Sequence, residues 1–208
     1  MALVPVSVAN RVGTATPMAA HQDAGGSNIP VVTLDSTKAT YRAAAAKVVL
    51  YATGAVTLLS ITGSATKTIR IKKIAVGLQT DAVLSVPYKL IRGSALGSGG
   101  TAVTPTVAKM NTGSGAASAV VKHYTTAAQT AGTTAEGPLG AGVLPSLIGT
   151  SVAGQQVQTI FPEPGATAGA AIVLRGTSEI LELQNLNGSN LAANPYMSYV
   201  VEWEEDAS

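Results

Sequence analysis

The sequence predicts an all-β protein: an antiparallel, jelly-roll-like β-sandwich with an extended N-terminal arm and long Gly/Ala/Thr-rich loops. Three observations carry that prediction. From residue 48 onward, short runs rich in Val, Ile and Leu recur at roughly ten-residue spacing, as in a sandwich or barrel. Turn signals built on Gly, Asp, Ser and Thr separate them. The last run, "YMSYVVEWEE", alternates strictly, with Met197, Tyr199, Val201 and Trp203 on one face and Ser198, Val200, Glu202 and Glu204 on the other.

Composition bounds the reading. The 208 residues suffice for one large or two small domains. Charged residues make up 12%, against about a quarter in ordinary domains, and aromatics 4%. An apolar fraction of 46% with a net charge of +2 excludes a disordered chain. Cysteine is absent, which excludes disulfide scaffolds, thiolate metal sites and cysteine nucleophiles. No apolar run approaches the ~18 residues of a membrane span. The start, "MALVPVSVANRVG", lacks a basic segment and breaks at Pro5, so a soluble protein made in the cytoplasm is expected.

Residues 1–40 show no sustained period and are interrupted by Pro5, Pro17 and Pro30; they read as the arm, with at most short strands. "LVPVSV" and "IPVVTL" are too apolar for a permanently solvated tail. Val4, Val6, Val8, Val31 and Val32 are therefore candidates for adding strands to a neighbour's sheet. Residues 41–208 read as the sandwich domain. "TYRAAAAKV" has helix-forming alanines, but its length and context favour a strand. "KVVLYAT", "AVTLLSIT", "TKTIRIKKIAVGL" and "AVLSVPYKLIR" follow as strands, with Pro87 marking the last as an edge or a bulged strand. In the third of these, Ile69 and Ile71 share a phase that slips at Lys72 and Lys73 and resumes at Ile74, Val76 and Leu78. A β-bulge or sheet-switching corner there returns all five to one core. Residues 93–150 are low in complexity and loop-rich, with one strand in "AASAVVKHYT". "QQVQTIF", "AAIVLRG", "SEILELQNL" and the final run complete eight to ten strands, the size of a jelly roll.

Chemistry-bearing constellations are sparse. His21 and His123 are the only histidines, and a lone histidine among strand residues is usually structural. "GSALGSGG" lacks the Lys-Ser/Thr ending of a phosphate loop, and no metal-ligand spacing or nucleophile elbow occurs. No cofactor and no enzymatic activity are expected. Two charge clusters stand out. Lys67, Arg70, Lys72, Lys73, Lys89 and Arg92 lie in one meander, and Glu202, Glu204, Glu205 and Asp206 fall near the last strand's end. Lys72, Lys73, Glu204 and Glu205 are candidate interaction residues. The favoured alternatives are a solvated face that blunts edge pairing and ion pairing between the clusters, within or between subunits. Nucleic-acid binding is disfavoured because interleaved aromatics are missing.

The runs "LLSITGSATKTIRIKKIAVG", "AAIVLRGTSEILELQNLNG" and "YVVEWEE" resemble a family of virion structural proteins of tailed bacteriophages, some of which look like capsid decoration (cement) proteins. The resemblance covers roughly residues 50–92 and 155–205. It implies a β-sandwich on the capsid surface of a virion, made in the host cytoplasm, with the major capsid protein as partner. It also implies a homo-oligomer, a trimer by preference, since decoration sites on icosahedral shells commonly have threefold symmetry. A tail, fibre or head-fibre component with a host-binding sandwich is the alternative.

Overall fold

The computed structural model describes residues 6–9, 15–18, 20–22, 28–30, 38–49, 56–80, 85–125, 133–134, 137–148, 158–162, 171–186 and 195–207. Met1–Thr37 and Lys38–Asp206 are separate compact units. In the first, β1 (Val6–Ala9) pairs antiparallel with β2 (Ala15–Met18), and β3 (Ala20–Gln22) with β4 (Asn28–Pro30). The short strands expected of this segment are present, and the described ones pair with one another in two antiparallel two-stranded sheets.

The second unit is all-β, with no helix among the described residues. Its strands are β5 (Ala39–Val49), β6 (Val56–Thr62), β7 (Lys67–Thr80), β8 (Ser85–Ala95), β9 (Ala102–Val103), β10 (Val107–Lys109), β11 (Val120–Tyr124), β12 (Thr133–Thr134), β13 (Gly140–Ile148), β14 (Gln158–Phe161), β15 (Ile172–Arg175), β16 (Ile180–Asn185) and β17 (Tyr196–Ala207). The first sheet runs β10-β5-β17-β7, with β15, β14 and the end of β13 taking successive stretches of β7. The second runs β13-β8-β16-β6-β11-β9, with β12 on β8. β13 belongs to both: Gly140–Pro145 pair antiparallel with β8, and Ser146–Ile148 pair parallel with β7.

The inner faces meet in one core. In β17, Met197, Tyr199, Val201 and Trp203 are each 0–1% exposed, as their alternation predicts. The "TYRAAAAKV" segment is strand β5, which places Tyr41 opposite Trp203 and Ala43 opposite Val201. Across the second sheet, Leu90, Leu183, Leu59 and His123 stand in one cross-strand row. Burying a large aliphatic side chain contributes about 1.5–3 kcal/mol, so such rows dominate the stability.

The phase slip in β7 does what the sequence requires: Ile69, Ile71, Ile74, Val76 and Leu78 all enter the core. Lys72 and Lys73 lie where pairing on β7 changes hands, after Ile71↔Ile172 in β15 and before Ile74↔Phe161 in β14. β5 uses a related device that the sequence hid. Its register against β17 shifts by one between Met197 and Tyr199, and Lys47 adopts φ 55°. Ala46 and Lys47 both face outward, and Val48 returns to the core.

Pro87 corrects an expectation. β8 is neither an edge nor bulged at that point; it lies between β13 and β16, with Pro87 opposite Val143. Pro87 O accepts from Leu186 N, just past the end of β16. A strand residue aims its N–H and C=O at the same neighbour. The missing N–H therefore faces the point where the β16 ladder stops, and little is lost.

Candidate functional site

The two charge clusters meet at one seam, because β17 and β7 are neighbours in the first sheet. On the outward face, Arg70 Nε reaches Asp206 Oδ2 at 2.7 Å and Lys72 Nζ reaches Glu204 Oε2 at 3.9 Å. Lys38 adds a 3.5 Å contact to Asp206, and Arg42 pairs with Glu202 at 3.6 Å. Burial acts to raise the Asp206 carboxyl, and the Arg70 guanidinium and Lys38 ammonium override it, holding it below the usual carboxylate range. Half-exposed pairs of this kind contribute only about 0–1 kcal/mol each. Their larger effect is to offset part of the basic character of the meander, since Arg70 and Lys72 face carboxylates, as Lys38 and Arg42 do from the β5 side.

On the inward face the chemistry differs. Glu205 continues the row Met197-Tyr199-Val201-Trp203 by one more step of two, so it points into the core, and its side chain is fully buried. Its Oε1 accepts from Ser118 N at 2.8 Å, Ala119 N at 3.0 Å and Trp203 Nε1 at 3.0 Å. Its Oε2 accepts from Ser118 Oγ at 2.8 Å and Lys67 Nζ at 3.0 Å. Burial pushes this carboxyl up, but the donors from Ala119, Trp203, Ser118 and Lys67 outweigh it and leave it below its ordinary value. Glu205 was expected at a contact surface; it is instead a core residue whose acceptor capacity is spent inside the chain.

A second buried carboxylate has the same job on the other sheet. Glu182 of β16 is 0% exposed and accepts from Thr57 Oγ1 at 3.0 Å, Gln184 Nε2 at 2.8 Å and Gly97 N at 2.9 Å. The residues 93–150 read as loop-rich therefore hold both anchored loops and short strands. Gly97 is tied to Glu182, Ser118 and Ala119 are tied to Glu205, and β9 to β13 all fall in this region. Low-charge Gly/Ala/Ser segments offer bare backbone N–H groups, and buried carboxylates are their strongest acceptors.

His123 is 6% exposed, with Nδ1 2.8 Å from the Tyr199 hydroxyl and the rings edge-on at 5.6 Å. Burial depresses the imidazole and raises the phenol. His123 thus bridges β11 and β17 across the core. His21 lies in β3, and its side chain is outside the described residues.

Of the other candidates, Lys72 and Glu204 are brought together. Lys73 is half-buried, with no carboxylate in ion-pair range among the described residues. Val6 and Val8 lie in β1 opposite Met18 and Thr16. Val4, Val31 and Val32 lie outside the described residues. Among the described residues no group of three His, Cys, Asp or Glu could hold a metal ion.

Three of the exposed large apolar side chains lie together elsewhere, around Pro87; Val103, Met110 and Val120 are exposed on or beside β9, β10 and β11. On the outer face of the second sheet, Val143 is 51% exposed and stands opposite Pro87. Leu186, 43% exposed, adjoins Pro87, and Leu139, 39% exposed, precedes Ala141 and Val143 in the same phase. Lys89, opposite Ala141, is the charged residue in this row. This surface is not legible in the sequence, because "GAGVLP" alternates too weakly to reveal which side is wet. No family, curated protein or solved structure matches the chain.

Proposed function

We propose that this chain is a structural protein of a tailed-bacteriophage virion, a decoration protein that binds the major capsid protein on the capsid surface as a homotrimer and stabilises the head shell. The observation that carries the reading is the contrast between the two outer faces. One is a mosaic of matched ion pairs; the other presents Leu139, Val143, Pro87 and Leu186 with little charge. Apolar side chains clustered on a sheet face suit lasting contact with another protein. The Glu182 and Glu205 carboxylates are turned inward to fix loops, which suits a rigid scaffold. The two N-terminal strand pairs offer further edges to which a partner can add a strand.

The test is to image source virions by cryo-electron microscopy and to assay binding of Val143→Lys and Leu186→Lys proteins to stripped shells. Decoration predicts density on the head and loss of binding with an unchanged melting temperature. Density on the tail or a fibre would replace this reading with the host-binding alternative. Full binding by both variants would remove the apolar face from it.

A further inference from the structure

Residues 111–119 link β10, at the edge of the first sheet, to β11 in the second. Their sequence, "NTGSGAASA", brings neither a titratable group nor a large apolar side chain. The segment is fastened from below. The Tyr41 hydroxyl donates to Gly115 O at 3.1 Å, while Glu205 takes the Ser118 and Ala119 N–H groups and the Ser118 hydroxyl. Directly behind Glu205 lies Trp203, stacked on Tyr41.

We propose that residues 111–119 form a strap latched by the Glu205 carboxylate, and that protonating this carboxylate releases the strap as a unit while both sheets stay folded.

The donor inventory around this one side chain sets what protonation does. An ionised carboxylate only accepts, and here Ser118 N, Ala119 N, Trp203 Nε1 and Lys67 Nζ only donate. A carboxylic acid carries a proton that itself needs an acceptor. Among these partners only the Ser118 hydroxyl can serve, and it must turn away from its present role. The other contacts become weaker, neutral hydrogen bonds or donor–donor clashes. Lys67 is held by β7, and Trp203 by its stack within the core. Besides these bonds and Tyr41, the strap is held only by the small side chains Ala117 and Ala119 packed against the core, which bury little apolar area, so it is the part that yields.

The surrounding charges are accounted for. β7 contributes Lys67, and β5 contributes Tyr41, with Lys109 of β10 opposite it in the ladder. On β17, Glu204 and Asp206 face the other way, toward Lys72, Arg70 and Lys38. The same donors that hold Glu205 below its ordinary value keep the latch closed at neutral pH and reserve opening for acid.

Trp203 is the single tryptophan and reports on the strap directly. The experiment follows its emission and acrylamide quenching in the full chain from pH 7 to about pH 3. Far-ultraviolet circular dichroism and amide exchange, corrected for intrinsic rates, run alongside. The expected result is a red shift with at least about tenfold faster exchange at Ser118 and Ala119, while β16 amides and the β-signal stay unchanged. Glu205→Gln should show the opened state at pH 7, and Asp206→Asn should not. If Glu205→Gln fails to fold, the wild-type titration decides alone. A flat tryptophan signal, or one that moves together with the β16 amides, overturns the proposal.

Discussion

The Trp203 indole lies against the Tyr41 ring with centroids 5.7 Å apart and planes 26° apart, and both side chains are 0% exposed. The two residues are direct partners in the β5–β17 ladder, so the stack is a cross-strand pair at the centre of the first sheet. Trp203→Ala should therefore cost about 3–5 kcal/mol in urea unfolding. Trp203→Phe should cost clearly less, because it keeps a ring on Tyr41 and forfeits mainly the hydrogen bond to Glu205. Equal losses would mean that the indole N–H, and not the stack, carries the energy.

His123 makes stability depend on pH in a defined direction. Its folded value lies below 6.5 because burial penalises the charged ring. Above that value both folded and unfolded chains hold it neutral. As pH falls below it, the unfolded chain takes up a proton that the folded chain refuses, and stability drops until the depressed folded value is reached. His123→Gln should flatten this stretch of the stability curve. A denaturation series from pH 7.5 to about pH 5 is the check; an unchanged slope would assign the dependence to another group.

Two glycines separate packing from backbone strain. A Cβ on Gly63 would collide with the carbonyl of Gly176 and sit 3.2 Å from Leu174 Cβ and Glu179 O. Gly63→Ala should lose about 1–3 kcal/mol or more, since backbone cannot step aside. A Cβ on Gly176 meets open space, but φ is +77° there. Gly176→Ala should lose about 1–2 kcal/mol through conformation alone. The order of the two melting temperatures is the readout.

Lys47 holds φ 55° on an exposed bulge without the freedom of glycine. Lys47→Gly should stabilise the protein by roughly 0.5–1 kcal/mol, the relief of a left-handed L-residue less the entropy glycine loses on folding. Thermal unfolding of the pair measures it, and a destabilised variant would show that the Lys47 N–H bond to Ser198 Oγ depends on the side chain present.

The strands legible in the sequence are those whose alternation is long. β17 announced its core face, and β7 announced even its slip, because isoleucines flank the lysine pair on both sides. Glu205 was legible too, since it continues the phase of Trp203, yet a carboxylate at a core position reads as surface unless its donors are known. Two of those donors are backbone groups 86 and 87 residues away in sequence, in a segment with no periodicity. Glu182 was hidden in the same way: "EILELQ" alternates as a half-wet strand, but the loop at Gly97 covers the polar side. β9 and β12 are two residues long and carry no local signal at all. The Ala46–Lys47 bulge lay in a run of alanines, where a phase shift leaves no mark.

The place of β17 has a consequence for how the chain comes into being. β5 and β7 are not neighbours; the slot between them is filled by residues 196–207. During synthesis the first sheet therefore stays split, with two long unpaired edges waiting for a strand made more than a hundred residues later. Loop-closure entropy is met before any of that pairing is gained, which makes folding slow. Exposed edges in the interval invite pairing between nascent chains. Lys72 and Lys73 on one waiting strand and Arg42 and Lys47 on the other place like charges along those edges, which discourages that pairing until the acidic strand arrives.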